Sequence, residues 1–267
     1  MTQPSTHKFQ FSSPSVFVCL LVLCMMSAWV CTAPARAESG VPPAATATLG
    51  DPQELTTFID HMMNIELYVQ HIAGAQVVIV KDGQILLAKG YGYADYEKKV
   101  PVDGEKTLFK PGSVTKLFTW TAVMQLVEQG KIDLNADVNT YLTDFQIPAT
   151  YQGGGGKSVP ITMLDLMSHT AGFEEISWKA GTMDVADVEH ATQLGDLVAG
   201  FMPRRVFPPG QVPSYSNYGA SLAGYIVEQV SGEPYDQYIE RHILQPLGMD
   251  RSTLYQELPD ELAADLS

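Results

Sequence analysis

Cysteine is confined to the first 31 residues, at Cys19, Cys24 and Cys31, and none follows. The rest of the chain therefore has no disulfide framework and no thiolate metal site. Histidine is sparse too. His61, His71, His169, His190 and His242 show no H-E-x-x-H or related spacing, which argues against metal catalysis. There is no G-x-S-x-G, which argues against a nucleophile-elbow hydrolase. Basic residues are outnumbered: 16 Lys and Arg against 30 Asp and Glu leave a net charge of −14. Such a surface repels phosphate backbones and speaks against nucleic acid as a partner. It does not restrict the substrate, because a local cation can outweigh the global field.

What is present begins with a targeting pattern. Lys8 gives a weakly basic start, Val16 to Val30 is apolar without a charge, and Ala35-Arg36-Ala37 fits an A-x-A cleavage site. The apolar run is short for a membrane span, which needs about 20 residues. Residues 1–37 are therefore expected to be a signal peptide cleaved after Ala37, placing the protein outside the cytoplasm, secreted or periplasmic. An uncleaved anchor is the alternative and the only expected membrane contact. Cleavage removes Lys8 and Arg36 and no acid, so the net charge of −14 becomes −16 over the remaining 230 residues. That length suits one large domain or two small ones.

Residues 38–50 are rich in Ala, Pro, Thr and Gly without periodicity and read as a flexible leader. Asp51-Pro52-Gln53-Glu54 is a helix start, with an N-cap acid, Pro at the first helical position and Glu at N3. Leu55, Phe58, Ile59, Met62 and Met63 then recur at helical spacing, and Gly74 ends the segment. His61 and His71 are expected on this helix. Val77 to Val80 and Ile85 to Ala88 flank Lys81-Asp82-Gly83-Gln84, and Asp-Gly is a favoured tight hairpin turn. Val114 to Gln129 is apolar almost all round and is expected to be a buried helix closed by Gly130. Further helices are expected at 161–168, 217–231 and 234–244, with 146–160 and 173–213 as long irregular connections.

Gly156-Lys157-Ser158 imitates a phosphate loop. Tyr151 stands where that motif needs glycine, and Val159-Pro160 where it needs a helix, so a plain loop is expected. Ser113-Val114-Thr115-Lys116 is an S-x-x-K. By itself it says little, since Ser5-Thr6-His7-Lys8 matches it as well. The context of Ser113 is different. It follows Pro111-Gly112 and opens the apolar helix, where partial positive charge favours an oxyanion. A lysine at i+3 in apolar surroundings loses proton affinity and can accept the serine proton. Tyr215-Ser216-Asn217 precedes a second apolar helix. Its phenol can shuttle protons beside a lysine, and its amide can hydrogen-bond a substrate.

These segments resemble the class C β-lactamase and penicillin-binding-protein-like serine hydrolases. Thr107 to Lys116 is similar to the family's first motif and its approach, and Leu126 to Leu134 to the stretch after it. Ile161 to Phe173 resembles the family's helix and His-Thr-(Ser/Ala)-Gly turn. Tyr215 and Asn217 match Tyr-x-Asn, and Pro246-Leu247-Gly248-Met249 a later landmark. The resemblance implies an α/β (α+β) fold of the β-lactamase/transpeptidase type, with an antiparallel sheet region and a helical region. It spans 51–267, with helix and hairpin at 51–112, mainly helices at 113–245, and a return toward the sheet at 246–267.

The resemblance further implies Ser113 as nucleophile, Lys116 and Tyr215 as its proton-handling partners, Asn217 as a substrate-binding residue, and a structural role for His169. No cofactor or metal is implied. The implied substrates are small molecules or peptidoglycan-type compounds: β-lactams, D-alanyl peptides or esters. A non-catalytic penicillin- or peptidoglycan-binding module, or an inactive fragment, is the alternative. The family's third motif, Lys/His-Ser/Thr-Gly on a sheet strand, is expected beyond Ser267. On this reading the chain lacks its C-terminal sheet strands, as a portion of a longer protein or a truncated product would.

Overall fold

The computed structural model describes residues 51–175, 193–255, 258–263 and 265–266. The expected signal peptide and leader lie outside them, as does 176–192 of the expected irregular connection. The described chain from Pro52 onward forms one compact unit. Among the described residues no helix is long and apolar enough to cross a membrane.

Helix α1 (Pro52–Val69) leads into strands β1 (Gly74–Lys81) and β2 (Gln84–Asp95). The hairpin forms where expected. Asp82 and Gly83 both take positive φ, 51° and 73°, which matches the right-handed twist of the flanking strands. A short third strand, β3 (Val100–Pro101), adds to β2 and gives a sheet of order β1-β2-β3. Side chains alternate along β1. Val77 and Ile79 pack toward α1, while Val78 and Val80 face outward.

Two details of α1 differ from expectation. Leu55 and Ile59 are buried against Leu87 and Tyr91, but Phe58 and Met62 are exposed, because the narrow hairpin covers only one stripe of the helix. His71 lies beyond the helix end in a left-handed turn, with φ 55°. Asp60 pins α1 to β2 by accepting from Lys89 Nζ at 2.6 Å and Tyr91 Oη at 2.8 Å.

The second core is helical. Gly112–Thr115 is a 3₁₀ turn that runs into α2 (Lys116–Glu128), and Gly130 closes that helix at φ 70°. Ser113 thus precedes the α-helix instead of sitting within it. Burial of α2 is one-sided: Thr119, Ala122, Val123 and Leu126 are inside, whereas Leu117 and Met124 are exposed. An all-round apolar sequence does not force all-round burial when neighbours approach from one side only.

Helix α3 (Met163–Met167) is shorter than the expected 161–168 and begins with a Thr162/Asp165 capping box. Within the stretch expected to be irregular, Leu194–Gly200 forms α4, and Phe173 bridges Arg205. Helix α5 (Asn217–Ser231) has the expected bounds: Ser216 Oγ accepts from Gly219 N–H, and Gly232 ends it in the left-handed region. Its faces against α2, α3 and α4 make it the centre of this core. The expected 234–244 helix is α6 (Tyr235–Ile239) running into a π turn (Glu240–Leu244). A last short helix, α7, covers Asp260–Ala263. The loop of Gly153 to Lys157 is irregular, and no helix follows Ser158.

Candidate active site

Helices α2 and α5 meet near their N-terminal ends, and that meeting builds the site. Ser113 is exposed on the 3₁₀ turn, and Lys116 begins α2 one turn later. Tyr215 and Asn217 flank Ser216, whose buried hydroxyl caps α5. With the backbone extended at Ser216, the residues on either side can both address the Ser113 turn.

Ser113 Oγ receives two hydrogen bonds. Tyr215 Oη donates at 2.5 Å and Lys116 Nζ at 3.2 Å. Lys116 Nζ also donates to Asn217 Oδ1 at 2.7 Å and lies 4.7 Å from the centroid of the Tyr215 ring. All four sequence-predicted site residues are therefore in one cluster, although Lys116 and Asn217 are 101 positions apart.

The His-Thr-Ala-Gly turn holds the Tyr-x-Asn segment in place. His169 takes φ 57°, its carbonyl accepts from Ser214 N–H at 2.7 Å, and its Nδ1 accepts from Ser216 N–H at 3.2 Å. Gly172 has φ 79°, and a Cβ there would stand 2.1 Å from the Phe207 carbonyl oxygen, so only glycine lets the two backbones approach so closely. Arg205, nearly fully buried, spans Pro148 O at 2.7 Å and Val159 O at 2.9 Å through Nη1. It ties the long 146–160 loop to the chain leading to Tyr215.

Electrostatics separate the roles of the two rings beside Lys116. The hydrogen bond from Lys116 lowers the Tyr215 pKa, Ser113 adds to it, and the Lys116 charge acts in the same direction. The phenol is therefore easier to ionise than a free tyrosine. His169 is also shifted downward, first by burial and then by the Lys116 charge. A neutral imidazole with Nδ1 accepting carries its proton on Nε2. Its ring lies 4.5 Å from that of Tyr215 at a tilt of 36° and meets Trp120 edge-on at 6.3 Å. No hydrogen bond joins it to Ser113 among the described contacts.

Sequence reasoning missed Glu175. Its carboxylate sits at the start of α5, accepting from Asn217 N–H at 3.3 Å and from Asn217 Nδ2 at 3.5 Å. A carboxylate suits a helix N-terminus. Here it also directs the Asn217 amide, with nitrogen toward Glu175 and oxygen toward Lys116. The one available signal was its position, three residues beyond Gly172 of the turn. Among the described residues no cluster of three or more His, Cys, Asp and Glu has metal-binding geometry.

Two helix starts converging on a serine, with a small antiparallel sheet packed on a helix beside them, define the class of β-lactamase and penicillin-binding-protein-like serine hydrolases. The chain belongs to that family: the family model described as Beta-lactamase matches residues 55–264. In sequence it is 33% identical over 205 residues to Protein flp of Staphylococcus aureus (strain MW2), covering 76% of this chain and 38% of that protein. In structure it is similar to the octameric penicillin-binding protein homologue from Pyrococcus abyssi, with a TM-score of 0.67 and 29% identity over 79% of this chain and 47% of that one. It is also similar to EstCE1, a hydrolase with promiscuous acyltransferase activity, with a TM-score of 0.61 and 27% identity over 74% of this chain and 52% of that one. The chain thus spans well under half the length of Protein flp.

Proposed function

We propose that the chain is a serine hydrolase that acts through a covalent acyl-enzyme at Ser113 on β-lactams, D-alanyl peptides or esters. The observation that carries this reading is the double contact at Ser113 Oγ, from Tyr215 at 2.5 Å and Lys116 at 3.2 Å. A serine hydroxyl is a weak nucleophile until a neighbouring base removes its proton. Tyr215 is within reach, and its neighbours Lys116 and Ser113 lower its pKa, which eases loss of its proton.

In the proposed cycle, Ser113 Oγ bonds to the substrate carbonyl carbon as its proton passes to the Tyr215 phenolate. Collapse of the tetrahedral intermediate breaks the bond to the leaving group, which takes that proton from Tyr215. Water then attacks the acyl-serine and gives a proton to Tyr215, and Ser113 leaves reprotonated. Lys116, which also donates to Ser113 Oγ at 3.2 Å, shares the handling of that proton. Asn217 holds Lys116 through Oδ1 and orients the substrate, and Glu175 holds Asn217.

The test is hydrolysis of p-nitrophenyl acetate and of a chromogenic cephalosporin by the chain and by any longer product of its gene. Turnover that disappears in Ser113→Ala supports the reading, and turnover that survives in Ser113→Ala contradicts it. The export pattern of residues 1–37 supports an extracytoplasmic site of action. N-terminal sequencing of exported protein should then begin at Glu38.

A further inference from the structure

Tyr215 meets Ser113 Oγ only while the segment entering α5 is held in place, and one residue outside that segment grips it twice. His169 accepts from the N–H groups on either side of Tyr215: its carbonyl takes Ser214 N–H at 2.7 Å, and its Nδ1 takes Ser216 N–H at 3.2 Å. Its ring lies 4.5 Å from the phenol ring between them. The grip is anchored in α3. His169 N–H donates to Leu166 O at 3.1 Å, and Thr170 N–H to Asp165 O at 2.8 Å.

The side-chain half of this grip depends on one lone pair. Ser216 is buried, and among the described contacts Nδ1 is the acceptor of its N–H. The imidazole is half-buried, so solvent protons reach it. A proton on Nδ1 occupies the lone pair, two N–H groups then face each other, and the peptide must turn away. The charges around the ring come from several elements. Lys116 on α2 opposes protonation, Glu175 beyond the glycine turn favours it, and burial opposes it most. Trp120 meets the ring edge-on and brings no charge, and Asp165 on α3 is engaged by Thr162 and Thr170. The neutral ring with a bare Nδ1 is therefore the resting form at neutral pH.

We propose that His169 is a positioning residue for Tyr215: it clamps the backbone on both sides of the phenol, and the clamp is complete only while Nδ1 carries no proton. The inference rests on the acyl-transfer reading given above. It gives the site a loss of kcat on the acid side that belongs to His169 and not to the groups that touch the serine.

The test uses the full chain, p-nitrophenyl acetate and two variants that keep the left-handed backbone. Glycine has no Cβ, and asparagine tolerates that conformation. Asn Oδ1 stands two bonds beyond Cβ, as Nδ1 does, and can accept from Ser216 N–H without titrating. At pH 7.5 His169→Gly is expected to lower kcat about 10- to 100-fold, with KM changed less than about threefold. His169→Asn is expected to recover most of that loss. Between pH 7.5 and 4.5 the ratio of wild-type kcat to His169→Asn kcat is expected to fall about tenfold, below the ordinary histidine value of 6.5. Nitrogen-15 NMR on Ser113→Ala supplies an arm that does not need turnover. The His169 ring, assigned by its absence from His169→Asn, should carry its proton on Nε2 at pH 7.5. The Ser216 amide proton should shift with the same midpoint as that ring.

A ratio that stays constant with pH, or wild-type kcat in His169→Gly, overturns the positioning role. So does a neutral ring with its proton on Nδ1, or a Ser216 amide that ignores the ring's titration. If His169→Gly does not fold, the His169→Asn ratio and the NMR arm decide. The expected NMR result without turnover at any pH overturns the acyl-transfer reading, and the catalytic role of the clamp with it, while the clamp itself stands.

Discussion

Tyr215 Oη donates to Ser113 Oγ at 2.5 Å across 102 positions of sequence, and Lys116 reaches the same oxygen from the turn below. The phenol is shifted toward ionisation, first by the hydrogen bond from Lys116. Removing its hydroxyl should therefore cost more than packing. Tyr215→Phe is expected to lower kcat/KM by 10²- to 10⁴-fold, the range of a general acid–base group, while circular dichroism stays unchanged.

The same contact has a spectroscopic consequence. In the wild-type minus Tyr215→Phe ultraviolet titration, one tyrosinate should appear below the ordinary pH of 10. Tyr91 and Tyr225, each pushed up to about 12 by burial first and a carboxylate second, should ionise later. Lys116→Met should move the early transition upward, because the hydrogen bond and charge that cause it are gone.

His169 has a depressed pKa, so the folded state binds its proton less well than the unfolded chain does. Its contribution to stability is complete above the ordinary value of 6.5 and is lost as pH falls from there toward the lower folded value. Thermal unfolding followed between pH 7.5 and 4.5 should show that slope. His169→Asn should flatten it, since asparagine tolerates the left-handed backbone and does not titrate.

Glu175 accepts hydrogen bonds from the backbone and side-chain amides of Asn217. Glu175→Gln should reduce kcat/KM by about tenfold, consistent with losing one hydrogen bond to a charged group. The loss should fall mainly on kcat, because the amide that steadies Lys116 is then free to turn over. Glu175→Asp, which keeps the charge, should recover part of it.

Arg205 supports the site from behind. Arg205→Met removes two hydrogen bonds from a buried guanidinium and should cost about 2–3 kcal/mol of stability, read as a lower denaturant midpoint. Ser113 labelling at low denaturant should persist.

Features governed by local chemistry were legible in the sequence. Asp82-Gly83 dictates its own turn, and Ser216 with Gly232 brackets α5 so tightly that its bounds follow from the caps. The family motifs identified the four-residue cluster. What stayed hidden depends on long-range packing. Leu117 and Met124 look like core residues until α5 is seen to cover only the other side of α2. Glu175 carries no motif, and its role appears only when Asn217 is brought alongside. The Thr119–Tyr235 hydrogen bond, between residues 116 positions apart, has no sequence signal at all.

The central claim is that Ser113 forms the acyl-enzyme. Rapid quenching after mixing with excess p-nitrophenyl butyrate, followed by peptide mass spectrometry, tests it most directly. The account predicts a butyryl mass increase on the peptide containing Ser113, formed more slowly in Tyr215→Phe and absent in Ser113→Ala. A butyryl group on any other residue, or one that persists in Ser113→Ala, would contradict it.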